Sequence, residues 1–166
     1  MSYTNTKTPA SERDEARTPL WLFKWLDNRY QFLVDAAATK ENSLCEYHRN
    51  KCMDFDEDWL LAPVWCNPPY SELARWLKKG ASECLLRKAL SVFIIPALNG
   101  DSWSEVALER AAEIIHIVGR VNFLRPDGTE MSGNNRGTCV VIFDPLKHGT
   151  AHSWVRRDEI RKKFSA

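Results

Sequence analysis

The chain is predicted to fold as α/β: one mostly parallel sheet with helices on both faces. Three observations carry this. Short apolar runs at residues 32–34, 64–66, 91–95, 113–118 and 138–143 have the length of buried strands. Between most of them lie amphipathic helical patterns, the alternation that builds βαβ units. The 166 residues suffice for one sheet covered by helices and leave no room for a second sizeable domain.

Composition narrows the class. A hydrophobic fraction of 44% is ordinary for a globular protein, and a net charge of +1 announces no nucleic-acid binder, so any basic surface is local. The polar N-terminus and the lack of a long apolar run predict neither a secretory nor a membrane-spanning segment. Five cysteines without a Cys-x-x-Cys pair argue against a disulfide framework and fit a reducing cytoplasm. Cys45, His48 and Cys52 are close enough to suggest zinc, but no fourth ligand stands at a familiar spacing, so no metal is expected. There is no internal repeat or low-complexity tract.

Residues 1–17 are polar without periodicity and read as a flexible N-terminal tail before a single domain at 18–166. Thr18-Pro19 has the form of a helix start, with Thr as N-cap and Pro at the first helical position. Leu20, Trp21, Phe23, Trp25 and Leu26 then give a helix with wide apolar coverage. Phe32-Leu33-Val34 is the first strand, closed by Asp35 and three alanines. An acid there sits where a doubly wound sheet places a cofactor, and serves equally as a helix or turn cap. Alanines permit close approach but lack glycine's freedom at positive φ. The second strand is expected around Leu44–Tyr47; Glu46, the acid near its end, could accept from two ribose hydroxyls or be an ordinary surface residue. Asp54 precedes Phe55 and the acidic run Asp56-Glu57-Asp58, which reads as a solvated loop.

Val64-Trp65-Cys66 is a strand that stops at Asn67-Pro68-Pro69-Tyr70. Two prolines remove two backbone donors and fix two φ angles, and Pro68 biases Asn67 toward extended backbone. The result is a stiff turn at the carboxyl end of a strand. Asn67 offers an amide oxygen and Pro68 a carbonyl outside any ladder, so together they can accept both hydrogens of a planar amino group. Tyr70 adds an aromatic face on which a base can stack.

The helix after this turn has Leu73, Trp76, Leu77, Cys84 and Leu85 on one face, with Ser71 as a plausible cap. Gly80 marks either close packing against the sheet or a break. Residues 91–96 form the next strand, followed by a loop and a helix that opens at Asp101-Ser102-Trp103. Trp103 is either a stacking residue or a core tryptophan. His116, within the strand 113–118, reads as a satisfied sheet histidine. A long polar loop, 124–137, carries Arg125 and Arg136; together with Arg120 they could contact phosphates. Residues 138–143 form the last strand, and the basic C-terminal stretch reads as a solvated helix face.

The Asn67-Pro68-Pro69-Tyr70 turn resembles the motif of S-adenosylmethionine-dependent amino-methyltransferases. Over residues 18–145 the chain is similar to the phage-type, Dam-like DNA N6-adenine methyltransferases. The resemblance implies a Rossmann-like class I methyltransferase sheet with an antiparallel C-terminal strand and no separate target-recognition domain. It implies catalysis by Asn67, Pro68, Pro69 and Tyr70, with S-adenosylmethionine held by Thr18, Pro19, Asp35, Ala36, Glu46, Asp54 and Asn67. Tyr70, Trp103, Arg120, Arg125 and Arg136 would meet DNA; Gly119-Arg120-Val121-Asn122-Phe123 is similar to a Gly-Arg-x-x-Phe segment of that family. It further implies a phage or prophage enzyme, monomer or homodimer, working in the host bacterial cytoplasm and protecting DNA from restriction. Cytosine N4 or a protein glutamine are alternative acceptors; Asn67 rather than Ser favours adenine, and a Gly-rich cofactor turn is absent. A catalytically silent nucleic-acid or cofactor binder is the alternative from another class.

Overall fold

A computed structural model describes residues 13–48, 58–59, 61–100, 102–132 and 136–165. In chain order the elements are α1 (Leu20–Tyr30), β1 (Val34–Asp35), β2 (Tyr47–His48), β3 (Val64–Cys66), a 3-10 turn (Tyr70–Glu72), α2 (Leu73–Arg87), β4 (Ser91–Pro96), α3 (Ser102–Arg110), β5 (Glu113–Val118), β6 (Thr138–Phe143), β7 (Ala151–Arg156) and α4 (Arg157–Phe164).

Seven strands form one sheet in the order β2-β1-β3-β4-β6-β5-β7. β2, β1, β3 and β4 run parallel, and β7 runs parallel to β5. β6 alone is reversed, antiparallel to both β4 and β5. The sheet is thus of the expected mostly parallel, Rossmann-like kind. The strand at 138–143 is antiparallel as expected but is not the last. β7 was not anticipated, because Ala-His-Ser-Trp-Val-Arg contains no apolar run and pairs along one edge only.

Side chains alternate across the central strands and fill two cores. Phe93, Ile95, Val141 and Phe143 face one side with Trp76 and Leu77 of α2 and Ala107 of α3. Val92, Ile94, Val140 and Ile142 face the other with Leu22, Phe23 and Leu26 of α1. α4 packs beside α1. Continuous burial of β4 and β6 follows from cover on both faces. No helix among the described residues is long and apolar enough to cross a membrane.

Several local expectations need correction. Thr18 does not cap α1: Pro19 holds the N-cap position without a side-chain cap bond, and the Thr18 hydroxyl has no hydrogen-bond partner among the described residues. Ser71 does not cap α2 either, because its hydroxyl donates to Asp14. Leu85 is exposed; Glu83 takes the buried position, with Lys79 as its ion partner. Gly80 marks close packing, since a Cβ there would lie 2.5 Å from the Phe93 ring. The end of the supposed tail is tied down: Arg17 and Leu124 exchange two backbone hydrogen bonds, at 2.8 and 2.9 Å. His116 is satisfied, with Nε2 on His152 and Nδ1 on the Cys139 thiol.

Candidate active site

The carboxyl ends of β1 and β3 lie side by side, and each stops for a reason visible in the sequence. β3 ends at two prolines, neither of which can donate to a ladder. β1 pairs through Asp35, and the Ala36 amide still reaches the Trp65 carbonyl at 2.9 Å before the chain turns away through Ala37 and Ala38. Asp35 is buried, and its carboxylate accepts the Leu44 amide at 3.2 Å, which folds residues 39–44 over the strand ends. A second tie, from the Thr39 amide to the Asn42 side chain at 2.7 Å, tightens that turn.

These segments enclose a cleft of about 320 Å³, within the size range of small-molecule sites. Thr18, Asp35, Trp65 and Asn67 line it, with Ala37 and Ala38 at the strand end and Glu41 and Asn42 on the turn. The Trp65 ring is held edge-on by Phe23 and tilted against Phe32, with ring centroids 5.5 Å apart in each pair. Thr18 is 6% exposed, and its Oγ1 is a buried polar atom without a partner among the described residues. Such a hydroxyl in a cleft is open to a ligand or a water.

The turn itself is set by one contact. The Asn67 Nδ2 donates to the Ala16 carbonyl at 2.9 Å. This fixes the amide's sense: with nitrogen on Ala16, Oδ1 is turned away, and among the described residues nothing donates to it. The Pro69 carbonyl accepts the Glu72 amide at 3.1 Å, while the Pro68 carbonyl takes no such bond among the described residues. Neither acceptor expected from the sequence is engaged by a donor among the described residues.

On the far side of the turn is a second cleft of about 180 Å³, lined by Arg13, Asp14, Tyr70, Pro96, Trp103 and Arg136, among others. Burial pushes the Tyr70 hydroxyl up to about 12, against the opposing pull of Arg136 and Arg13. The phenol is therefore neutral under ordinary conditions. The Arg13 Nε is buried without a hydrogen-bond partner among the described residues.

Of the predicted residues, Thr18, Asp35 and Asn67 meet at the first cleft, and Tyr70, Trp103 and Arg136 at the second. Pro68 and Pro69 build the turn between them. Pro19 starts α1 and Ala36 is packed in the core, and neither is among the residues lining these two clefts. Glu46 is exposed and stands outside, because β2 begins only at Tyr47. Asp54 lies outside the described residues. Arg125 is spent on the Glu130 carbonyl at 2.9 Å, and Arg120 is exposed, its carbonyl accepting from Arg157 at 2.7 Å.

Sequence reasoning missed Arg13, Asp14, Ala16 and Glu41. Arg13 and Ala16 make contacts through backbone carbonyls, and Asp14 stands in the same segment, which has no periodicity to read. Glu41 precedes the expected second strand and carried no signal of its own. Among the described residues no cluster of His, Cys, Asp or Glu is arranged to hold a metal.

The sequence has relatives among known proteins. A relative from Escherichia phage T1, a DNA N-6-adenine-methyltransferase, is 31% identical, with 89% of this chain aligned to 69% of that protein. Another of the same description, from Haemophilus phage HP1 (strain HP1c1), is 25% identical across 96% of both chains. The profile of one family matches residues 5–165, which takes in both clefts and the turn between them. On that match the chain belongs to the DNA N-6-adenine-methyltransferase (Dam) family.

Proposed function

We propose that the protein transfers a methyl group from S-adenosylmethionine to the N6 amino group of adenine in DNA. The observation that carries this is the pairing of two acceptors, Asn67 Oδ1 and the Pro68 carbonyl, on a turn stiffened by prolines and oriented by Ala16. Adenine N6 is a poor nucleophile because its lone pair is delocalised into the ring. Two acceptors that take both N6 hydrogens favour a pyramidal nitrogen and direct its lone pair. Fixed dipoles and orientation supply the rate, and no strong base is required before transfer. After transfer the nitrogen carries an acidic proton, which can leave to water.

The first cleft fits the cofactor. Its size, the unpaired Thr18 hydroxyl, the buried Asp35 carboxylate and the short Ala37 and Ala38 side chains suit a polar ligand approaching the strand ends closely. Glu41, an acid lining this cleft, takes the ribose role that the sequence suggested for Glu46. When bound, S-adenosylmethionine supplies a methyl carbon activated by its sulfonium. The second cleft takes the target base, flipped from the duplex, with Tyr70 stacking on it and Trp103 and Arg136 at its rim. The phage source of two relatives supports a viral or prophage enzyme that works in a bacterial cytoplasm and shields DNA from restriction.

The test is incubation with methyl-labelled cofactor and DNA, RNA or protein, followed by nucleoside analysis. Label in N6-methyladenine is expected. Label in N4-methylcytosine or glutamine, or cofactor binding without transfer, overturns the reading.

A further inference from the structure

We infer that Asp14 is a positioning residue for the Asn67–Tyr70 turn, and that residues 14–16 act as a splint across both ends of it. The inference rests on the reading of Asn67 as an N6 acceptor. At one end the Asp14 carboxylate takes two hydrogens from one residue: the Ser71 amide at 3.1 Å on Oδ1 and the Ser71 hydroxyl at 2.6 Å on Oδ2. At the other end the Ala16 carbonyl takes the Asn67 amide hydrogen at 2.9 Å. The two contacts straddle Pro68-Pro69-Tyr70. Immediately after the splint, Arg17 is anchored by an antiparallel bridge to Leu124, and Leu124 bridges in turn to Glu130.

Prolines make the turn stiff internally, yet they do not set its tilt relative to the sheet. The splint supplies that reference. Charge-assisted hydrogen bonds to a carboxylate are short and directional, which suits the task. Asp14 also lines both clefts and, among the described residues, is the one that does. It therefore stands where cofactor and base must be held in register. Ser71 is exposed, so the Asp14–Ser71 contact adds little apolar burial to the fold. A role in placing the acceptors accounts for a bidentate contact at this spot.

The experiment compares the full chain with Asp14→Ala, Asp14→Asn, Ser71→Ala, the Asp14→Ala/Ser71→Ala double variant and Asn67→Ala. Steady-state methyl transfer to duplex DNA is read alongside calorimetric binding of S-adenosylmethionine and thermal melting. Asp14→Ala is expected to lower kcat about tenfold or more, since small misplacements of reacting groups are costly. Cofactor Kd should stay within about threefold in Ser71→Ala, whose side chain stands outside the cofactor cleft, and Asp14→Asn should be intermediate in kcat. The double variant should be no slower than Asp14→Ala alone. Unchanged kcat in Asp14→Ala, or a loss expressed in cofactor affinity rather than kcat, overturns the inference. So does an additive double variant. If Asp14→Ala fails to fold, Ser71→Ala decides: a several-fold lower kcat with unchanged Kd supports the splint, and wild-type kcat sinks it. Asn67→Ala separates the two levels. Retained transfer in that variant means the acceptor reading itself has failed; its loss beside a fully active Asp14→Ala means only the splint has.

Discussion

Gly80 of α2 faces Phe93 of β4 so closely that a Cβ on the glycine would stand 2.5 Å from one ring carbon and 2.6 Å from the next. The ring has nowhere to go, because it stacks on Trp59 and meets Phe143 edge-on. Alanine would gain about 1 kcal/mol of helix propensity over glycine. Overpacking a filled core costs about 1–3 kcal/mol, so the clash should win. Gly80→Ala is expected to lower the urea midpoint; a raised midpoint would show that helix and sheet separate easily.

A second prediction concerns the carboxylate buried beneath α2. Glu83 accepts the Trp59 amide at 3.1 Å and pairs with Lys79, whose side chain is itself only 10% exposed. Arg87 Nε also approaches the carboxylate, at 3.8 Å, and removing one member of a buried pair costs about 3–5 kcal/mol. Glu83→Leu should lose that much in denaturant titration. Adding Lys79→Met should recover part of it and leave about 1–3 kcal/mol for the unpaired Trp59 amide. No recovery in the double variant would mean that the lysine contributes nothing to the loss.

The aromatic face of Tyr70 and its hydroxyl can be separated. Tyr70→Phe should keep most activity, whereas Tyr70→Ala should lose about 1–3 kcal/mol of base stacking, seen as weaker DNA binding. Because burial holds the phenol up near 12, it stays protonated across the working range. Ultraviolet titration difference spectra between wild type and Tyr70→Phe should show no Tyr70 ionisation below pH 10; one near pH 9 would contradict the buried setting.

A pH effect on stability should come from His116. Partial burial and the neighbouring His152 hold its pKa below the ordinary 6.5, with the Cys139 thiol on its other nitrogen and the Trp154 ring stacked against it. The unfolded chain then binds a proton that the folded chain does not. Stability should therefore fall as pH drops below 6.5 toward the lower folded value, and level off beneath it. Melting temperatures between pH 7.5 and 5.5 should decline less in His116→Phe than in wild type. Equal slopes would remove His116 from the effect.

Much of this is legible in the sequence. The strand at 64–66 and its proline stop are local features, and local chemistry dictates them. Asp35 was readable because an acid closing a first buried strand has few places to be. What stayed hidden depends on contacts without side-chain signature. The bridge between Arg17 and Leu124 is made by backbone atoms, so a polar segment looked like a tail. Trp154 is exposed on an edge strand, and β7 shows no apolar run to read. Leu85 fitted a helical face by spacing, yet the neighbouring Glu83 took the interior because Trp59 and Lys79 satisfy it.

The reversed strand β6 sits between β4 and β5 although it is made after both. During synthesis, then, the two halves of the molecule cannot be stitched until residue 143 has emerged. A nascent chain arrested before Thr138 would present two bare apolar edges with the missing seam between them. Such a fragment should be captured by chaperones or precipitate, and a soluble, protease-resistant product of that length would show that the seam is dispensable.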